Sequence, residues 1–407
     1  MDKGLVYIDE LPIKGKRVLI RVDFNVPLDD DGNITEDTRV RSVLSTINYA
    51  LDQGSKVILL THLGRPKGKR VESLSLAPVA KRLSRLLEKD VLFASDCVGA
   101  ETKKLINKMK PGEVTLLENV RFHPGEVKNS PAFGKKLAEL CDVYINDAFA
   151  TAHRSHASNV AVTDYVDVTG AGLLMKKELS YFARAMDKPV RPLVAIVGGK
   201  KVLDKVGILT ALCERVDKLI VGGGMALTFF KALGYDVGKS FYEEDALQEA
   251  KKVIEKSRAK KIKLYLPVDF VVADKFSPSA ETKVVTYQEI PKDWMALDIG
   301  PATVTLFREA LQDAKTIIWN GPMGVFEMDA FSRGTFAMVS AVANCYAMTI
   351  VGGGDTDVAV HRAGEYAKMS YISTGGGAFL ELLQGIDLPG ISSLKVKKKK
   401  KAKIASR

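Results

Sequence analysis

The sequence predicts an α/β protein built from two doubly wound parallel-sheet domains of the Rossmann-like kind. Three observations point there. The chain has 407 residues, too many for one ordinary core. Apolar, β-branched runs alternate with helix-period stretches along its whole length. Nearly all the unusual residues stand where such a run ends.

The predicted strands are RVLIRVDF (17–24), KVILLT (56–61), VTLLEN (114–119), VYIND (143–147), LVAIVGG (193–199), KLIVGGG (218–224), KLYLPVDFVV (263–272), TIIWNGP (316–322), MTIVGGGD (348–355) and YISTGGG (371–377). Their apolar character is continuous, not alternating, so both faces of each sheet must be covered. Between the two sets lies a predicted helix. Met175, Leu179, Phe182 and Met186 follow helical spacing, and Lys188-Pro189 stops the run before the next strand. The divisions that follow are a first domain over 1–172, a joining helix over 173–188 and a second domain over 189–385. A short segment, 386–394, and a basic tail, 395–407, complete the chain.

Composition narrows the function classes. A chain that is 46% hydrophobic and 27% charged, with 33 Gly and 15 Pro, is neither disordered nor collagen-like. Cys97, Cys141, Cys213 and Cys345 show no C-x-x-C pairing of a zinc or redox motif, and a reducing cytoplasm suits them. No apolar secretory region opens the sequence. The uncharged stretch from Gly334 to Gly354 is interrupted by Ser340, Asn344, Tyr346 and Thr349, and reads as a buried helix leading into a strand rather than a membrane span. The formal charge of +11 belongs mostly to the tail: Lys395 to Arg407 carries seven Lys, one Arg and no acid, which leaves +3 for the rest. Such a block reads as a solvated extension that attracts polyanions without specificity.

The two halves end their strands in different chemistry. In the first, Arg21, Asp23 and Asn25 lie in RVDFNVP, Arg39 in EDTRVR, His62 and Arg65 in THLGRPKG, Arg121 and His123 in LLENVRFHPGE, and His153, Arg154 and His156 in DAFATAHRSHAS. Any one arginine could be a surface ion pair, but five at one rim make a basin for a small, multiply anionic substrate. In the second half the strands end in GGKKVLDK (198–205), GGG (222–224), NGPMG (320–324), GGGDT (352–356) and TGGG (374–377). Glycine is the default residue of tight turns, yet five such turns in one domain suggest a nucleotide phosphate site. Lys201 and Lys205, four apart, are expected on one face of a helix starting near Lys201. Neither G-x-x-x-x-G-K-[ST] nor a complete G-x-G-x-x-G is present, which disfavours P-loop ATPases and Rossmann dehydrogenases. An anion site in one domain facing a phosphate site in the other, across a deep cleft that closes to exclude water, suits phosphoryl transfer.

RVDFNVP, HLGRPKG, LLENVRFHPGE, TAHR, WNGPMGVFE, GGGDT and STGGGA occur in the order and spacing of phosphoglycerate kinase, and the resemblance spans essentially 1–394. It implies reversible transfer of the 1-phosphate of 1,3-bisphosphoglycerate to MgADP, giving 3-phosphoglycerate and ATP. It implies a phosphoglycerate-binding first domain, a nucleotide-binding second domain, hinge closure, and a 386–394 segment that returns to the first domain. A cytoplasmic monomer with Mg²⁺ as cofactor, no obligatory protein partner and no membrane association goes with it. By the resemblance, Arg21, Asp23, Asn25, Arg39, His62, Arg65, Arg121 and Arg154 hold the phosphoglycerate, with Arg39 nearest the transferring group. Lys201, Lys205, Gly222, Gly223, Ala296, Asn320, Glu327, Gly353, Gly354, Asp355 and Thr356 meet the nucleotide, Asp355 through the metal and Glu327 through the ribose. Arg39, Lys201 and Gly376 are the implied catalytic residues, with Gly375 to Gly377 opening a helix at the transferring phosphoryl.

The sequence departs from the family pattern in places. Lys200 stands where alanine is usual in G-G-A-K-V, Ala296 replaces the glycine of W-M-G-L-D-I-G-P, and Ala150 replaces a common glycine. The lysine tail runs past the family's usual end. Two rival readings remain at this level: a polyanion-binding module acting through the tail, and an acyl-phosphate kinase for another small acid.

Overall fold

A computed structural model describes residues 4–395. The described residues up to Ser180, with those from Asp387 on, form one compact unit, and Tyr181–Ile386 forms the other. The helix Leu173–Met186 runs through the point where the chain passes from one to the other.

The first unit carries a six-stranded parallel sheet of β1 (Arg17–Arg21), β2 (Lys56–Leu60), β3 (Val91–Phe93), β4 (Val114–Leu116), β5 (Val143–Asn146) and β6 (Val168–Ala171), in the order β3-β4-β2-β1-β5-β6. The second carries β7 (Leu193–Val197), β8 (Lys218–Val221), β9 (Lys263–Tyr265), β10 (Asp269–Ala273), β11 (Thr282–Thr286), β12 (Met295–Ile299), β13 (Thr316–Asn320), β14 (Met348–Gly352) and β15 (Tyr371–Ile372). Its six-stranded sheet, β15-β14-β13-β7-β8-β9, is again all parallel. The inner strands β5, β7, β8 and β13 are buried throughout, as continuous apolar runs require.

One part of the strand pattern is corrected. KLYLPVDFVV is not one strand but two in different sheets, β9 and β10. Pro267 has no N–H to give a ladder, and the N–H groups of Val268 and Asp269 turn to Thr303 Oγ1 at 2.9 and 3.0 Å. β10 then pairs antiparallel with β11 and β12 in a third, three-stranded sheet.

Chain order reverses between β1 and β5 in the first parallel sheet and between β7 and β13 in the second. Doubly wound sheets open a crevice at such points, beyond the strands' carboxyl ends. The helix Pro389–Ser392 rests within the first unit, where Gly390 N donates to Ala152 O at 2.8 Å and Ser393 Oγ donates to Asn159 O at 3.1 Å. The lysine-rich tail beyond Lys395 lies outside the described residues.

Candidate functional site

In the first unit the site grows from Arg21, the last residue of β1 at the reversal point. Its side chain is fully buried, a costly position for a charge without partners. Nε donates to Ser158 Oγ at 2.8 Å, Nη1 donates to the Val22 carbonyl, and Nη2 lies 3.2 Å from His62 Nδ1. Ser158 in turn donates through Oγ and N to the two carboxylate oxygens of Glu126, at 2.6 and 2.8 Å. Glu126, itself fully buried, thus anchors the guanidinium through a hydroxyl. A guanidinium can only donate, so His62 Nδ1 is the acceptor and the ring proton sits on Nε2. Burial first, then the charges of Arg21, Arg121, Arg154 and Arg39, holds the His62 pKa well below the usual histidine range. This imidazole is neutral at working pH.

The remaining cations gather around it. Arg39, from the helix Thr38–Ser42, donates through Nη1 to Asp23 Oδ2 at 2.8 Å. Asn25 Oδ1 accepts from Gly64 N at 2.8 Å, which ties the loop after β1 to the loop after β2. Arg121, after β4, donates to Gly64 O at 2.7 Å while its buried Nε has no hydrogen-bond partner. Desolvation, then the neighbouring charges of Arg154 and Arg21, lowers the Arg121 pKa to about 10. Arg154 is lowered by burial and then by Arg65, and His156 falls to about 4 by burial and then by Arg121, Arg21 and Arg154. Such mutual depression requires proximity: Arg21, Arg39, Arg65, Arg121 and Arg154 form one positive concentration at the carboxyl edge of the sheet. Five guanidinium groups outnumber the carboxylates of Asp23 and Glu126 beside them and make an unfinished site for an anion.

In the second unit two glycine turns clasp each other at the reversal point. Gly198 N donates to Asn320 O at 2.9 Å and Gly199 N to Pro322 O at 2.8 Å. A Cβ on Gly198 would stand 2.2 Å from Pro322 O, and one on Gly222 would stand 2.4 Å from Met323 Sδ. Lys205 Nζ donates into this clasp, to Gly198 O at 2.7 Å. Burial lowers its pKa to about 8, although Asp355 and Asp204 pull the other way.

Lys201 and Lys205 do not share a helix face. The helix spans Val206–Leu212, and Lys205 is its N-cap. The backbone N–H groups of Val202 and Leu203 are captured by the Glu243 carboxylate, so residues 201–205 form a turn that sends Lys205 inward and leaves Lys201 exposed. Nothing near Glu243 in the sequence marks it as a partner of a turn some 40 residues away.

Beside the clasp lies a cavity of about 510 Å³ lined by Gly199, Lys200, Gly223, Ala296, Glu327 and Asp355 together with Phe241 and Phe276. Lys200 Nζ sits 4.3 Å from the centre of the Phe241 ring, so this extra cation is held at the cavity wall by a cation–π contact. Phe241 and Phe276 are exposed aromatics, and no local pattern in the sequence marks them as lining residues. Ala296, in β12, donates its N–H to Ser240 Oγ at 2.9 Å. Asn320 Nδ2 donates to Gly352 O at 2.7 Å, its Oδ1 is buried without a hydrogen-bond partner, and the buried Thr356 Oγ1 accepts from Gly321 N at 2.7 Å. Their side chains shape the loops. Gly353 has φ +100° and caps the helix Gly354–Arg362, whose first turn carries Asp355. Gly376, at φ +46°, caps the helix Gly377–Leu383.

The family model for phosphoglycerate kinase matches residues 8–386. The phosphoglycerate kinase of Geobacter metallireducens is 69% identical over 389 residues, covering 95% of this chain and 98% of its own. That of Citrifermentans bemidjiense is 67% identical over 392 residues, with 96% and 98% covered. Among solved structures, the phosphoglycerate kinase of Coxiella burnetii superposes with a TM-score of 0.88 at 44% identity, covering 96% of this chain and 98% of the other. That of Pyrococcus horikoshii gives 0.84 at 32%, with 97% and 100% covered. An arginine-rich basin, a glycine-walled cavity and a family match over nearly the whole length agree, and the chain belongs to the phosphoglycerate kinase family.

Proposed function

We propose that this chain transfers the 1-phosphate of 1,3-bisphosphoglycerate to MgADP and back, with the residues described above in these roles. The observation that carries the reading is the cluster of five arginines around a neutral His62. Arg21, Arg65, Arg121 and Arg154 bind the phosphate and carboxylate oxygens of the triose acid, and Arg121 brings an unpartnered Nε–H to them. Asp23 orients Arg39 toward the transferring group. Asn25 fixes the Gly64 turn, and His62 offers Nε2–H as a neutral donor.

The acid's carboxylate, ionised at neutral pH, is the nucleophile toward ATP, so the chain needs no general base. Depressed histidine pKa values are consistent with that, because a neutral imidazole adds no competing charge. What the transition state requires is neutralisation of charge spread over the equatorial phosphoryl oxygens. Arg39, Lys201 and the amide of Gly376 supply it, while Lys205 holds the phosphates that arrive over Gly198 and Gly199. Gly222, Gly223, Gly353 and Gly354 let the backbone approach, Ala296 and Phe241 wall the base, and Glu327 takes the ribose hydroxyls. Asn320 and Thr356 position these loops.

The donor set fits a hard cation. Asp355 presents a carboxylate in the cavity with no hydrogen-bond partner among the described residues, and Mg²⁺ takes one or two carboxylates beside phosphate oxygens and water. When bound, Mg²⁺ neutralises phosphate charge. A cytoplasmic monomer is part of the same reading, and four unpaired cysteines suit a reducing compartment. The test is formation of an acyl phosphate from 3-phosphoglycerate and MgATP, trapped with hydroxylamine, run beside a panel of other small acids. The expected result is turnover confined to 3-phosphoglycerate. Preference for another acid would overturn the substrate assignment.

A further inference from the structure

Three potential metal ligands of different chemistry converge in the first unit. Asp96 and Cys97 follow β3, and His123 follows β4, the strand that pairs with it. A carboxylate oxygen of Asp96, Cys97 Sγ and a ring nitrogen of His123 lie within 4.8 Å of one another, and no other such trio occurs among the described residues. Cys97 is fully buried and forms the floor, while the side chains of Asp96 and His123 are 49% and 30% exposed at the rim. His123 Nε2 and Asp96 Oδ1 are 2.6 Å apart.

Each part alone has an ordinary explanation. A buried thiol is a common core residue, and a half-exposed His–Asp pair contributes little stability. Their coincidence is different, because three donors of zinc-type chemistry, brought in by the ends of two paired strands, lie within reach of one point. The nearby Arg70 is engaged by Glu72 Oε1 at 2.6 Å and the Ser95 carbonyl at 3.0 Å. A cation placed among the three donors would be held by all of them at once.

We propose that Asp96, Cys97 and His123 form a binding site for one borderline-soft divalent cation of the zinc class, with a fourth position open to water. A mixed S, N, O donor set selects zinc-like ions, whereas Mg²⁺ takes oxygen ligands. On binding, the Cys97 thiol proton leaves to solvent and a sulfur–metal bond replaces the S–H bond. His123 gives up its hydrogen bond to Asp96, its ring proton moves by exchange with solvent from Nε2 to Nδ1, and the freed Nε2 lone pair binds the metal. Thiolate and carboxylate together match the double positive charge. Donors of a tetrahedral zinc site stand about 3–4 Å apart, so the His123–Asp96 pair, now at 2.6 Å, opens slightly as the cation enters between them.

The test uses Co²⁺ as a spectroscopic probe on the full-length protein in magnesium-free buffer. One Co²⁺ per chain is expected to give a near-ultraviolet thiolate-to-cobalt band that Zn²⁺ abolishes and excess Mg²⁺ does not. Cys97→Ser should remove the band. Asp96→Asn and His123→Gln, at the exposed rim, should weaken Co²⁺ binding by more than about tenfold, and they decide the matter even if the serine variant fails to fold. Absence of the band, or a band that both rim variants leave unchanged, overturns the proposal.

Discussion

A single methyl group separates two kinds of glycine in the second unit. Gly223 has φ +65°, and a Cβ there would stand 2.7 Å from Gly199 N and 2.8 Å from Gly199 O and Pro322 O, all backbone atoms that cannot step aside. Gly354 has no such φ, and a Cβ on it meets nothing within 4 Å. Gly223→Ala is therefore expected to destabilise the protein by roughly 1–3 kcal/mol and to weaken ADP binding as well. Gly354→Ala should leave the melting temperature nearly unchanged and reduce ADP affinity alone, since only a ligand can collide with its methyl. Calorimetric melting and ADP titration of both variants check the pair. Arg39→Ala tests the other unit. Removing a charge-stabilising contact typically costs about 3 kcal/mol, so kcat should fall on the order of a hundredfold with an unchanged circular dichroism spectrum. An active, folded Arg39→Ala protein would count against the proposed role.

At the scale of elements, the helix Leu173–Met186 begins on a buried carboxylate. Asp147 Oδ1 accepts from Met175 N at 2.9 Å, and Oδ2 accepts from Thr46 Oγ1 at 2.6 Å; that hydroxyl accepts in turn from Leu173 N at 2.9 Å. Burial pushes the Asp147 pKa up to about 7, against the pull of these hydrogen bonds. The folded state thus holds a proton that the unfolded chain releases near pH 4. The raised pKa stabilises the fold at low pH, and that contribution is lost as pH rises from about 4 to 7. Asp147→Asn should remove up to one proton's worth of slope, about 1.4 kcal/mol per pH unit, from a plot of unfolding free energy over that range. Asp298, buried and also pushed up to about 7, keeps a similar slope in the variant. Denaturant unfolding at several pH values measures the difference.

The same scale explains what was legible in the chain. Central strands such as β7 and β13 were legible because burial on both faces demands unbroken apolar runs, and their ends were legible because arginine or glycine recurs at one strand end after another. β3 and β6 escaped notice because they are short edge strands, the first of them partly exposed. β11 is solvent-facing and β12 half-buried, so neither reads as a continuous run. Site residues that act through the backbone of a distant turn, Glu243 and Glu126, left no local pattern, since a carboxylate looks alike in sequence whether it caps amides or meets water.

At the scale of the whole molecule, each unit has its own core. One is built around Ile20, Val57, Leu59 and Ile145, the other around Ile196, Ile317, Trp319 and Val351. A ligand that binds only the native form of one unit stabilises that unit by RT ln(1 + [L]/Kd), about 2.7 kcal/mol at a hundredfold excess over Kd. If the arginine basin holds the triose acid, 3-phosphoglycerate alone should slow amide hydrogen exchange in β1, β2, β4 and β5, whose carboxyl ends carry the cations. If the glycine clasp holds the nucleotide, MgADP alone should slow exchange in β7, β8, β13 and β14. The acid's effect should also fade with added salt, because it arises from charge on a partly exposed rim. Hydrogen exchange followed by mass spectrometry separates the two patterns peptide by peptide. Protection by 3-phosphoglycerate centred on Tyr181–Ile386, or by MgADP centred on the first sheet, would reverse the assignment of substrates to units.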